Sequence, residues 1–140
     1  MDVLYTAEAL STGAGRDGRV STIDGRLDLE MAVPKEMGGS GAGANPELLF
    51  AAGYAACFHS ALHAVARGTK TTLDGSSVGS RVQIMPDGNG GFQLGVHLEV
   101  VLPGVEEGLA QELADAAHRV CPYSNATRGN IEVTVAVSDD

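Results

Sequence analysis

The chain has 140 residues, 44% of them hydrophobic and 19% charged, with a formal net charge of −9. That length builds one domain with a real core and no need of metal or disulfide staples. The acidic balance argues against nucleic acid or an anionic membrane as partner, since both require clustered Lys and Arg.

The opening "MDVLYTAEAL" has no basic region followed by an apolar run, so no signal peptide is read there and a cytoplasmic location is expected. Within it, "VLYTAEAL" reads as a first strand, since Val, Tyr and Thr favour β structure. Next, Gly13, Gly15 and Gly18 of "TGAGRDGRV" match the G-x-G-x-x-G spacing of dinucleotide loops. Such a loop must open a helix within a β-α-β unit. Here it runs into "RVSTIDGRLDLEMAV", where Asp24-Gly25 signals a hairpin and Leu27, Leu29, Met31 and Val33 alternate. The glycines therefore make a turn, and no nucleotide site is expected.

"PKEMGGSGAGANPE" is a glycine-rich connector, by default a linker and otherwise a segment that flanks a pocket or crosses to a partner. Asn45 and Pro46 form a helix-start signal, and Glu47 suits the positive end of the helix dipole. The helix "PELLFAAGYAACFHSALHAVAR" is apolar on nearly all sides and ends at Gly68, so it belongs in a domain centre or an interface. Its longest nearly apolar run, Leu48 to Phe58, has about 11 residues against the roughly 20 that span a bilayer. No membrane span is expected.

"SSVGSRVQIM" and "GFQLGVHLEVVL" form a second β pair across the turn-rich "PDGNGG". "GVEEGLAQELADAAHRV" is an amphipathic helix with Val105, Leu109, Leu113, Ala116, Ala117 and Val120 on its buried side. Glu106, Glu107 and Glu112 make its solvated face. Pro122 ends that helix at Cys121. "PYSNATRGN" reads as a short helical turn closed by Gly129, and "IEVTVAV" as a final alternating strand. The order β-β-β-α-β-β-α-β predicts an α+β fold, with antiparallel sheet, mostly joined by hairpins, wrapped around the apolar helix.

Cys57 and Cys121 form no C-x-x-C, and without clustered His they give no zinc signature. Two readings stay open: small buried hydrophobes, or a thiol pair that cycles. Burial of Cys57 would raise its pKa, so a reactive Cys57 needs a nearby cation. Cys121, at the start of a short helical turn, is better placed for a thiolate. His59 and His63 stand four apart but lack further ligands, and His97 and His118 show no ligand spacing, so no metal is expected. Asn125-Ala126-Thr127 matches a glycosylation sequon by pattern only.

"AAGYAACF" with Cys57 and "VCPYSNATRGN" with Cys121, together with "GRDGR" and "NPELLFAAG" in the same order, resemble the OsmC/Ohr family, on its organic hydroperoxide resistance (Ohr) side. The resemblance covers essentially the whole chain. It implies a single OsmC/Ohr-like domain over residues 1–140, an intertwined homodimer, and a thiol peroxidase that reduces organic hydroperoxides without cofactor or metal. On this resemblance Cys57 corresponds to the peroxidatic cysteine and Cys121 to the resolving one. Arg16 corresponds to the active-site arginine and Glu47 to the carboxylate that holds it, while Arg19 is a surface cation. The implied cycle passes through a Cys57 sulfenic acid and a Cys57–Cys121 disulfide, reduced by dihydrolipoamide on lipoylated proteins. Phe50, Phe58 and Tyr123 are candidates to line an apolar substrate channel, each equally readable as core.

Glu47 and Cys57 are ten residues apart in one helix, about 15 Å along its axis. Either the helix breaks near Gly53, or Glu47 and Arg16 serve the other subunit's thiol; the second is expected. Two further readings stand beside the peroxidase. One is a thiol-based peroxide sensor or binding module that forms the disulfide without turnover. The other is a structural dimer with inert cysteines, disfavoured because all four residues fall at the family positions.

Overall fold

A computed structural model describes residues 1–138, and the chain divides into two compact units, Met1–Leu49 and the remainder from Phe50. The first unit is a three-stranded antiparallel sheet in the order β1-β2-β3, with β1 at Ala9–Thr12, β2 at Arg19–Thr22 and β3 at Asp28–Glu30. Asp24-Gly25 does make the turn between β2 and β3. The Asp24 carboxylate accepts from the Thr22 hydroxyl and the Arg26 N–H, and Gly25 takes a positive φ of 75°. β1 is shorter and later than the expected strand over residues 3–10. Its ladder begins at Ala9 opposite Thr22, where β2 ends and the turn starts, and before it the Glu8 carbonyl still accepts from the Ile23 N–H at 3.0 Å. Val3, Leu4 and Tyr5 are left exposed. Met31 and Ala32 are the buried apolar residues of this unit.

The glycine-rich connector folds back on its own unit. Gly39 and Gly41 donate to the Pro34 and Val33 carbonyls, and Ala44 exchanges backbone bonds with Glu30 and Ala32. Gly43 lies so close to the Glu30 carbonyl that a Cβ would sit 2.6 Å from its oxygen. These contacts, unreadable from composition, make an ordered fold-back where a linker was the default expectation.

α1 runs unbroken from Pro46 to Gly68, with Asn45 Oδ1 capping it by accepting from the Leu48 N–H at 2.8 Å. From Phe50 onward the second unit also holds β4 (Ser77–Pro86), β5 (Phe92–Val101), α2 (Glu107–Val120), α3 (Pro122–Thr127) and β6 (Val133–Ser138). Its core joins Tyr54, Phe58, Leu62 and Ala66 of α1 to Val96, Leu98 and Val100 of β5 and to Ala110, Leu113, Ala114 and Ala117 of α2. The fold class is α+β, with two small sheets and a central helix. One part of the expectation is corrected: β6 pairs with β5 in parallel. The α2–α3 crossover carries the chain back to the end of the sheet from which β5 started, which a hairpin cannot do.

The phase of α2 also differs by a fraction of a turn. Ala110, Leu113, Ala114, Ala117 and the following Cys121 define the buried face, and Val120 at its shoulder is 57% exposed. α1 is long and apolar enough to cross a membrane by length and composition, with a mean hydropathy of 1.4 in its most apolar stretch. Its packed face nonetheless belongs to the core just described.

Candidate active site

Cys57 lies on α1, one residue before the fully buried Phe58 and three after the fully buried Tyr54. Cys121 is both the C-terminal cap of α2 and the N-terminal cap of α3. Pro122 at the first position of α3 forces Cys121 into extended geometry (φ −63°, ψ 126°). That joint turns the Cys121 side chain inward, where it is fully buried, and brings its Sγ to 3.6 Å from Cys57 Sγ. Both are free thiols. They stand in contact before any bond forms, 64 residues apart in sequence.

The Cys57 thiol is pushed up from its ordinary pKa, first by desolvation and further by the neighbouring Cys121, while the Tyr123 backbone N–H pulls the other way. Within this unit burial wins, because one amide dipole offsets only part of the cost of taking a thiolate out of water. The other unit carries a paired guanidinium. There Arg16 Nη1 and Nη2 grip Glu47 Oε1 and Oε2 at 2.7 and 3.2 Å, a two-pronged pair whose side chains are 35% and 15% exposed. Arg16 is aimed by a single 3-10 turn, Gly15–Asp17, in which Asp17 accepts from the Val33 N–H. Arg19, by contrast, is half exposed and pairs with Asp28.

Of the three apolar candidates, Phe50 and Tyr123 line an open groove of about 650 Å³ with Phe92, Leu94, Ala126 and Ile131. Phe58 does not: it is fully buried in the core, against His118. Its register on α1 with Tyr54, Ala61 and Leu62 turns it toward the sheet. Tyr123 packs at a tilt against both Phe50 and Tyr54, with ring centroids 5.9 and 5.6 Å away. Gly53 makes room for it, since a Cβ there would stand 2.7 Å from the Tyr123 hydroxyl.

Sequence reasoning missed the polar cluster under the thiols. Ser124 Oγ lies 2.8 Å from the Tyr54 hydroxyl and 2.7 Å from His118 Nδ1, and Tyr54 also reaches Thr127 Oγ1 at 3.3 Å. The signal was Tyr54 itself, a polar-tipped residue three positions before Cys57 on an apolar helix. His59 and His63 converge on the Ser76 hydroxyl at 2.8 and 3.5 Å. Among the described residues no group of three or more His, Cys, Asp or Glu could hold a metal ion.

The OsmC-like protein family matches residues 38–136 of the chain. An organic hydroperoxide resistance protein of Xanthomonas axonopodis pv. citri is 51% identical, the match covering 97% of this chain and 96% of the relative. The chain belongs to the OsmC family, in its organic hydroperoxide resistance branch. Solved structures agree in fold. An organic hydroperoxide resistance protein from Elizabethkingia anophelis is 50% identical, with full coverage of both chains and a TM-score of 0.94. OhrB of Bacillus subtilis is 42% identical over 97% of this chain and all of its own, with a TM-score of 0.88.

Proposed function

We propose that this protein protects against organic hydroperoxides by reducing them to alcohols at Cys57. The observation that carries the reading is the pair of free thiols in contact at 3.6 Å, one of them at a helix joint. The Cys57 thiolate attacks the peroxide oxygen, the O–O bond breaks, and the leaving alkoxide takes a proton to become the alcohol. Cys57 is left as sulfenic acid. The Cys121 thiol then displaces water from that sulfenic acid, and the two sulfurs close to a disulfide of roughly 2.0 Å. A dithiol, for which we propose dihydrolipoamide or a lipoylated protein, returns both thiols by exchange and leaves oxidised itself.

Arg16 lowers the Cys57 pKa and stabilises the developing alkoxide, held planar by Glu47. These two are supplied by the partner subunit of a homodimer, and each active site needs both units of the fold. Three features support that arrangement. α1 has no break near Gly53, so Glu47 cannot approach the thiol along its own helix. The first unit has little core of its own, and Leu10, Ile23, Val3, Leu4 and Tyr5 are 58–99% exposed, an apolar surface too large to leave to water. Only 22% of the most apolar stretch of α1 is buried within one chain.

The test is to follow cumene hydroperoxide loss with reduced protein and excess dihydrolipoamide. Sustained turnover, abolished in Cys57→Ala, is expected. Cys121→Ser is expected to react once and then fail to recycle through lipoyl thiols. Consumption of a single equivalent by the unaltered protein would instead identify a sensor.

A further inference from the structure

The hydroxyls beneath the thiol pair can be ordered into one directed chain. Thr127 Oγ1 donates within α3 to the Tyr123 carbonyl at 3.0 Å, or to that of Ser124 at 3.2 Å. Its lone pairs are then free to accept from Tyr54. Tyr54, having one hydrogen, accepts from Ser124, and Ser124 in turn accepts from His118 Nδ1–H. Every member donates once, and every hydroxyl also accepts once. Tyr54 and Ser124 are fully buried and Thr127 is 5% exposed, so no water competes for these groups. His118 is fixed at its other end, where its carbonyl accepts from the Arg128 guanidinium.

The chain ends on the residue whose N–H faces the Cys57 sulfur, Tyr123. It also ties α1, which carries Cys57, to α3, whose cap is Cys121. We propose that His118, Ser124, Tyr54 and Thr127 are positioning residues for the thiol pair: through the Tyr123 carbonyl they hold that residue with its N–H on Cys57, and they keep Cys121 within reach of it. Among the described residues none of the four hydrogen-bonds to either sulfur, so each acts through Tyr123 or Cys121. The groups facing Cys57 within this unit are Cys121 Sγ and the Tyr123 N–H, and those acting electrostatically on His118 are Arg128 and Asp115. The inference rests on Cys57 being the reactive thiol of the reading above.

The test needs no peroxide, so its failure is separable from a failure of that reading. Iodoacetamide labelling of Cys57 is followed across pH by peptide mass spectrometry in the full-length protein and in Tyr54→Phe, Thr127→Val and Thr127→Ser. Removing one link is expected to slow Cys57 labelling at neutral pH by roughly two- to tenfold, the leverage of one hydrogen bond. The labelling profile should move to higher pH. Thr127→Ser keeps the hydroxyl and is expected to label like the unaltered protein. Two results overturn the proposal. One is an unchanged profile in both Tyr54→Phe and Thr127→Val. The other is an equal loss in Thr127→Ser and Thr127→Val, which would assign the effect to packing alone.

Discussion

A thiolate at Cys57 finds one donor inside its own unit, the Tyr123 N–H, against desolvation and a neighbouring sulfur that both hold the proton on. The imbalance is what gives Arg16 its proposed task, and it separates catalysis from stability at Glu47. The Arg16–Glu47 pair is part exposed, so its contribution to folding is modest, under about 1 kcal/mol. Its proposed value lies in fixing the plane of the guanidinium. Glu47→Gln is therefore expected to leave the urea midpoint nearly unchanged. The same change should lower kcat/KM for cumene hydroperoxide by about tenfold or more. A large loss of stability with an unaltered rate would show that the pair is structural.

At the scale of elements, the loop that carries Arg16 depends on glycines in two different ways. Gly15 has a positive φ of 67° and open space around it, so Gly15→Ala meets backbone strain alone, about 1 kcal/mol. At Gly18 a Cβ would stand 2.1 Å from the Thr12 carbonyl oxygen and 2.9 Å from the Ala14 nitrogen, and backbone cannot step aside as a side chain can. Gly18→Ala is expected to cost about 2 kcal/mol or more in urea titrations and to cost more than Gly15→Ala. Reversal of that order would mean the loop shape is not what the Thr12–Gly18 approach dictates. The elements themselves were largely legible. Asn45-Pro46 and Gly68 bound α1, Asp24-Gly25 makes its hairpin, and Pro122 breaks the helix at Cys121. The parallel placement of β6 was not, because alternation along "IEVTVAV" specifies a face and says nothing of direction. Val120 was misplaced, and the choice between lining and core at Phe58 was left open, for a related reason. Periodicity defines an apolar arc, while the neighbours that fill its centre come from elsewhere in the chain.

Across the whole molecule, acid should destabilise the protein in two separable windows. Burial lowers the pKa of His59, helped by His63, and that of His118, helped by Arg128. The unfolded chain binds these protons more readily. Stability from this source is therefore fully present above the ordinary imidazole value of about 6.5 and is lost as pH falls below it. Asp24, Asp87 and Glu106 are held low by backbone N–H groups, so their share is lost only further down, below about pH 4. The urea midpoint is expected to decline between about pH 7 and 5, and His59→Gln should flatten part of that slope. A midpoint rising over this range would contradict the burial of both rings. The four residues named from resemblance were each found by a local motif. What the sequence hid was the long-range geometry around the two cysteines: two sulfurs touching across 64 residues, and hydroxyls from α1 and α3 hydrogen-bonded to one another nearby. The central claim is that this contact is a redox couple. Intact-mass and peptide analysis of the reduced protein after one equivalent of cumene hydroperoxide tests it directly. The account predicts loss of two hydrogens as a Cys57–Cys121 disulfide, reversed by dihydrolipoamide. Recovery of both cysteines as free thiols, with the peroxide unconsumed, would contradict it.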